Sequence, residues 1–333
     1  MRVVMFGYMT WGHRTLEAIL ATPHEVPLVV THPNTDNPYE RIFNDSVADL
    51  AATQGIPVLV RGRACDAEVI ERITAARADV MVVANWRTWI PPAVFSLPRL
   101  GTLNVHDALL PAYAGFAPLN WALINGEPEV GVTAHMMNPE FDAGDIVLQR
   151  ATPVTDEDTV VDLFERTLAM FGPITIDALA LLADGRTDWM PQDRKQASYF
   201  HRRCEEDNRI DWSWPARDIA NLVRAQVDPY PNAFCYHGTR RIRVLRASVT
   251  EAPFGGTPGR IFIRNGDGVV IVAGVDARRG RSPGLVIEQV RAADGREYTG
   301  VEYFTTMGGY LTSHPSRRPG RPVTGPVHLL EGG

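Results

Sequence analysis

Five short, nearly unbroken apolar runs lie in the first third of the chain: 2–6 (RVVMF), 26–31 (VPLVVT), 56–60 (IPVLV), 79–85 (DVMVVAN) and 101–106 (GTLNVH). They are rich in β-branched residues and lack the polar alternation of a half-exposed strand. Such runs suit strands covered on both faces, as in a parallel sheet between helices. The intervening segments 15–20, 46–54 and 66–77 carry helical spacing. In the second of them Val47, Leu50 and Ala51 share one face. Strand–helix alternation of this kind predicts an α/β fold, a Rossmann-like doubly wound sheet. The stretch FGYMTWG after the first run is not a G-x-G-x-x-G fingerprint, so dinucleotide binding gains little support from it.

After His106 the rhythm changes. A helix over 117–125 precedes two runs, 130–137 and 145–154, that read as a hairpin-like pair added to the sheet. Asp156 or Asp158 is placed to cap a long helix carrying Val161, Phe164, Leu168 and Phe171 on one side. Gly172-Pro173 is expected to kink or break that helix. These elements make residues 1–187 one domain. Residues 188–208 show no sustained period and read as a linker. In 209–312 one helix and several glycine-punctuated strands predict a small OB-like β-barrel. Residues 313–333, rich in Pro and Gly, read as a flexible tail.

Charge and cysteine usage narrow the class. The chain has 333 residues, 33 Lys and Arg against 39 Asp and Glu, and a net charge of −6. A nucleic-acid backbone is therefore not its expected main partner. The cluster RRGR at 278–281 reads as a solvated loop. Cys65, Cys204 and Cys235 are odd in number and outside any C-x-x-C pattern, so neither a disulfide framework nor a zinc site is expected. A reducing compartment, the cytoplasm, fits that usage. No run is read as a membrane span, and MRVVMFGY reads as a strand, not a signal peptide.

In an open parallel sheet, ligands bind outside the carboxyl ends of the strands. The run GTLNVHDALLP puts Asn104 and His106 there, two residues apart and so on one side of a strand, before Pro111 turns the chain away. An amide beside an imidazole suits acyl transfer. The amide can donate to a developing oxyanion, and the imidazole can carry a proton. Read singly, His106 is equally a strand-end histidine satisfying a carbonyl. Asp142, followed by Ala143 and Gly144, is equally a turn carboxylate. Asp145 reads as a cap, His135 as structural. Trp11, Trp86, Trp89 and Phe116 either line a cleft or simply pack.

Taken together these residues carry a resemblance. N-V-H-D-x-L-L-P-x-Y-x-G-x-x-P-L-N-W, then G-V-T-x-H-M-M and D-A-G-D-I, is similar to the 10-formyltetrahydrofolate-dependent formyltransferases. That family includes methionyl-tRNA formyltransferase, sugar-nucleotide formyltransferases and hydroxyornithine formyltransferases of siderophore assembly. RIDWSWPARDIANLVRAQVDPYPNAF at 209–234 resembles the start of its second domain, and the likeness runs to about residue 312. It implies a formyltransferase fold and 10-formyltetrahydrofolate as donor, without a metal. It further implies that Asn104 holds the formyl oxygen, that His106 stabilises the oxyanion and moves protons, and that Asp142 orients His106 and takes the amine proton. The loop 85–90, with Trp86, Arg87, Thr88 and Ile90, would hold the pterin largely through backbone groups. Asn138 and Asp142 would close its other side.

The acceptor is read from a departure. Where the tRNA and sugar enzymes carry K-Y-R-G-R after L-L-P, this chain has Ala112, Ala114 and Phe116 in place of the three cations. MFGYMTWGHRTL, ANWRTWIPP, VHDALLPAYAGF and TPGRIFIRNGDGVVIVAG most resemble the hydroxyornithine formyltransferases, a resemblance that implies hydroxyornithine as acceptor, and loss of phosphate-facing charge agrees with so small a zwitterion. A UDP- or dTDP-linked amino sugar is the alternative (the loop 31–46 resembles the sugar enzymes), then methionyl-tRNA. A non-catalytic folate- or nucleotide-binding module is the reading from another class, against which the Asn104, His106 and Asp142 set speaks.

Overall fold

The computed structural model describes residues 1–35, 43–275 and 282–316. The RRGR cluster, the centre of the 31–46 loop and most of the expected tail lie outside the described residues. The chain divides into two compact units, Met1–Ala122 with Glu127–Arg203 and Leu123–Gly126 with the residues from Cys204 onward.

The first unit begins β1 (Arg2–Gly7), α1 (Met9–Leu20), β2 (Glu25–Thr31), α2 (Val47–Thr53), β3 (Val58–Val60), α3 (Ala67–Ala76), β4 (Val80–Ala84), α4 (Pro92–Phe95) and β5 (Thr102–His106). These five strands are parallel, and each falls on one of the apolar runs. The short β6 (Ala114–Gly115) and α5 (Pro118–Ile124) follow, then β7 (Glu129–Met136), β8 (Ile146–Pro153), α6 (Val160–Ala183) and the short β9 (Tyr199–Phe200). The main sheet runs β3-β2-β1-β4-β5-β7-β8, with β7 and β8 antiparallel to their neighbours. Chain order reverses between β1 and β4, which opens a crevice at their carboxyl ends. Side chains alternate across the pleat. Val4, Phe6, Leu28, Val30, Met81 and Val83 form one core with α3 and α4 residues such as Val69, Ile73 and Val94, while Val3, Met5, Val29 and Val82 are buried on the other face.

Two expectations about α6 are corrected. Thr159 caps it, in a capping box with Asp162, whereas Asp158 binds the backbone N–H of Thr155 instead. The helix also runs unbroken through Pro173 for 24 residues. Gly172 explains why packing wins there, since a Cβ at that residue would lie 2.8 Å from the Cβ of Ala18 on α1. The two helices meet closely, and their contact holds α6 together where proline removes one hydrogen bond. This helix is long and apolar enough to cross a membrane by length and composition, and half of that stretch is buried within the protein.

Residues 188–203, expected as a linker, belong to the first unit. Met190 pairs with Ile146, and β9 pairs in parallel with β6.

The second unit holds α7 (Ala216–Arg224), β10 (Ala233–His237), β11 (Arg240–Pro253), β12 (Ile261–Asn265), β13 (Gly268–Val272), β14 (Pro283–Arg291), β15 (Glu297–Thr299), α8 (Gly300–Tyr303) and β16 (Leu311–Thr312). Its sheet is antiparallel in the order β12-β13-β14-β11-β10-β16. Backbone bonds from Ile261 to Gly309, Gly308 to Ile261 and Leu311 to Gly259 join the two edges, closing the sheet in the manner of a barrel. The three cysteines are free, with Cys235 buried and its thiol pushed up by that burial.

Candidate active site

β5 delivers Asn104 and His106 to the carboxyl end of the sheet, both half-buried. Its antiparallel partner β7 sets His135 directly opposite Asn104. The amide Nδ2 of Asn104 lies 3.0 Å from His135 Nε2, and His135 Nδ1 lies 3.1 Å from the carbonyl of Met136. A carbonyl only accepts, so Nδ1 carries the imidazole hydrogen and Nε2 receives one from the amide. Asn104 is thereby fixed with a second amide hydrogen to give. His135 is 1% exposed, and burial pushes its imidazole down to about 4, which keeps it the neutral acceptor this bond requires. Sequence reasoning set His135 aside as structural. The pairing across two strands, invisible to local spacing, gives it the task of orienting the amide.

Unfolding exposes that imidazole, whose value returns to about 6.5. Between those two values the unfolded chain binds a proton that the native one does not. Stability is therefore full above about pH 6.5 and should fall as pH drops toward 4, by on the order of a few kcal/mol. Urea unfolding at a series of pH values checks this, and His135→Gln should flatten the dependence.

His106 and Asp142 are brought to the same loop without a hydrogen bond between them. His106 Nε2 lies 3.2 Å from the carbonyl of Tyr113. The Asp142 carboxylate instead accepts the backbone N–H of Gly115 at 2.9 Å. The resemblance has Asp142 orient or charge-balance His106; no hydrogen bond joins the two directly, and both are tied to the 113–115 loop. Asp107, next to His106, is half-buried. Loss of solvent pushes its carboxyl above the ordinary range, and the neighbouring imidazole acts in the other direction.

The backbone around these groups is strained. Met9 after β1, Asn85 after β4, Tyr113 after β5 and Asp142 after β7 all have φ between 46° and 59°, a region costly for residues with a Cβ. Non-glycine residues held this way gather at functional sites, where the surroundings over-determine them. Gly144 anchors the last of these turns. A Cβ there would sit 1.5 Å from the carbonyl oxygen of Met136, so no side chain fits without moving β7. Gly144→Ala should cost about 1–3 kcal/mol or more in chemical denaturation and displace Asp142.

The 85–90 loop is tied into the protein by its side chains. Trp86 stacks on His32 at 3.8 Å and meets the Phe6 ring edge-on. The backbone N–H of Arg87 bonds His32 Nε2, and its guanidinium lies over the Tyr8 ring. Thr88 donates to the carbonyl of Gly62, Ile90 is buried, and Trp89 is 52% exposed. On the other side of the site Asn138 accepts the N–H of Glu140 in a tight turn, and Phe141 is 45% exposed near Phe116. Trp11 packs against Phe43 and Phe164. Among the described residues no cluster of three or more His, Cys, Asp or Glu is arranged to hold a metal.

This fold recurs in solved structures. The sugar 3N-formyl transferase WlaRD, crystallised with dTDP and 5-N-formyl-THF, is 18% identical with a TM-score of 0.65 over 86% of this chain and 96% of its own. An N-formyltransferase from Helicobacter canadensis, crystallised with folinic acid and dTDP-3-aminofucose, is 19% identical with a TM-score of 0.62 over 86% and 98%. HypX from Aquifex aeolicus, crystallised with tetrahydrofolic acid, is 20% identical with a TM-score of 0.55 over 91% of this chain and 47% of its own. At these identities the likeness is one of fold. Family models carry the assignment further: residues 204–308 match the model described as Formyl transferase, C-terminal domain, and residues 1–179, which include the whole Asn104, His106 and Asp142 arrangement, match the model described as Formyl transferase. With more than half of its length matched and the strand-end amide and imidazole in place, the chain belongs to the formyl transferase family.

Proposed function

We propose that this protein moves a formyl group from 10-formyltetrahydrofolate to the N5-hydroxylamine of hydroxyornithine. The observation that carries the reading is the Asn104 amide, held by neutral His135 so that one hydrogen remains for an oxygen at the strand end. His106 stands two residues on, and Asp142 reaches the same loop from the opposite side. Such a set aligns a carbonyl and an amine and stabilises the negative charge that develops between them, with no metal required.

In this reading the neutral nitrogen of the acceptor attacks the formyl carbon. Asn104 donates to the oxygen as it becomes an oxyanion, Asp142 takes the proton from the attacking nitrogen and passes it through water to His106, and the imidazolium so formed steadies the oxyanion and gives that same proton to N10 of the folate as the carbon–N10 bond breaks. Trp86, Arg87, Thr88, Ile90 and Asn138 belong to the two loops that would flank the pterin. Trp86 and Ile90 pack inward, so their support for the donor is through the shape of the loop.

Ala112, Ala114 and Phe116 favour a small zwitterion over a nucleotide-linked sugar, because the loop facing the site carries no cation of its own. A sugar nucleotide is the second reading, and one observation favours it: the Arg202 guanidinium lies 5.1 Å from the centre of the Phe116 ring, returning a positive charge to the place where the loop lost one. The test is kcat/KM for N5-hydroxyornithine, ornithine, a UDP-4-amino sugar, dTDP-3-aminofucose and Met-tRNA, all with 10-formyltetrahydrofolate. Hydroxyornithine is expected to lead. A sugar nucleotide ahead by tenfold, about 1.4 kcal/mol of transition-state preference, would promote the second reading.

A further inference from the structure

No hydrogen bond joins His106 to Asp142, so other contacts fix where each stands. His106 is tied to the carbonyl of Tyr113, and Asp142 to the N–H of Gly115. The loop between those two contacts is held from outside by the segment 188–203. Ser198 Oγ accepts the N–H of Tyr113 at 2.9 Å, the Ser198 carbonyl accepts that of Ala114 at 2.9 Å, and the Phe200 carbonyl accepts that of Phe116 at 3.0 Å. The Tyr113 and Phe200 rings stack at 4.7 Å.

The same segment also grips the Asp142 turn. The half-buried Gln192 side chain sends its Nε2 to the carbonyl of Asp142 at 3.0 Å and to that of Gly144 at 2.7 Å. A primary amide has two hydrogens, and both are spent on this one turn. Behind the turn Gly144 is wedged against Met136, so the turn is walled on one side and clamped on the other. Asp142 sits at φ 46° between these restraints. A residue in that conformation relaxes if its surroundings let it.

We propose that Gln192 is a positioning residue for Asp142, and that residues 188–203 form a strap setting the separation of Asp142 from His106. The proposal rests on the assignment of Asp142 to proton transfer made above. Releasing the clamp lets the turn relax and carries the carboxylate away from its place in the transition state, while the surface that binds the acceptor stays as it was. The effect then falls on kcat and spares the KM of the acceptor, whereas the KM of the donor, which the same turn flanks, is free to rise.

The test uses the full chain with 10-formyltetrahydrofolate and whichever acceptor of the panel gives the highest kcat/KM. Gln192→Leu keeps the side-chain bulk without either donor. Gln192→Glu is measured beside it, as an isosteric variant that loses the amide hydrogens. Each should lower kcat about 10- to 50-fold, with the acceptor KM within about twofold of wild type and thermal unfolding little changed. In the Asp142→Asn background, Gln192→Leu should then add less than about twofold, because it acts through the carboxylate already removed. Unchanged kcat, a loss confined to KM, or a full additional loss on top of Asp142→Asn would overturn the proposal. An Asp142→Asn variant with wild-type kcat would instead remove the assignment beneath it, which separates the two failures.

Discussion

Alanine in place of His106 should lower kcat by about 10²–10³-fold or more while leaving the protein folded, and alanine in place of Asn104 should do the same. The reason lies in where these groups stand. Both side chains emerge half-buried from the end of an interior strand paired on both sides, with β4 and with β7, so their geometry is set by the sheet and not by a loop. Donors held that way do not have to reorganise when charge develops on the formyl oxygen, and removing one forfeits its whole contribution to the transition state. The His106 side chain is partly exposed and satisfies no buried side chain, so the unfolding curve of its variant should stay close to wild type. Losing Asn104 also leaves His135 Nε2 without its donor in a buried place, and a modest loss of stability, about 1–3 kcal/mol, should accompany that variant alone. Steady-state kinetics beside urea unfolding separates the two effects. Near wild-type turnover in both variants would remove the site.

Hydroxyornithine should outperform ornithine by about 10²–10³-fold in kcat/KM at pH 7, and the gap should shrink by up to about tenfold per pH unit on the alkaline side. A side-chain ammonium like that of lysine, near 10.4, leaves about one molecule in a thousand with a free electron pair at neutral pH. The nitrogen of a hydroxylamine is far less basic and is already neutral. With Asp142 bound to a backbone N–H and standing apart from His106, the site offers a carboxylate to collect a proton after attack, and no paired base to strip an ammonium beforehand. A preference that does not change with pH would place the discrimination in shape or in contacts to the hydroxyl group instead of in protonation.

The parts of the molecule legible in the sequence are those whose cause is local. Continuous β-branched apolar runs at 2–6, 26–31, 79–85 and 101–106 suit strands covered on both sides, and Asn104 with His106 share a face because they are two apart on the last of them. The features that stayed hidden depend on residues far apart in the chain. His135 reads as one more buried polar group until β7 pairs with β5 and puts it on Asn104. Pro173 reads as a helix breaker until Gly172 lets α6 lie close against α1. The stretch 188–203 has no periodicity because it forms almost no structure with itself. Its order comes from Ile146, from β6 and from the turn of Asp142, each more than 40 residues away in sequence. A segment without period is a linker by local rules, and here it packs on β6 and on the Asp142 turn.

The central claim is that a formyl carbon passes from folate to the N5 nitrogen of hydroxyornithine at the end of β5. Carrying a carbon label in the formyl group of 10-formyltetrahydrofolate and following it by mass spectrometry and NMR tests that claim most directly. With the wild-type protein the label should appear as the N5-formyl group of hydroxyornithine, with an equal amount of tetrahydrofolate, and Asn104→Ala should suppress both together. Label that stays on the folate, is released as formate, or passes only to the amino sugar would contradict it.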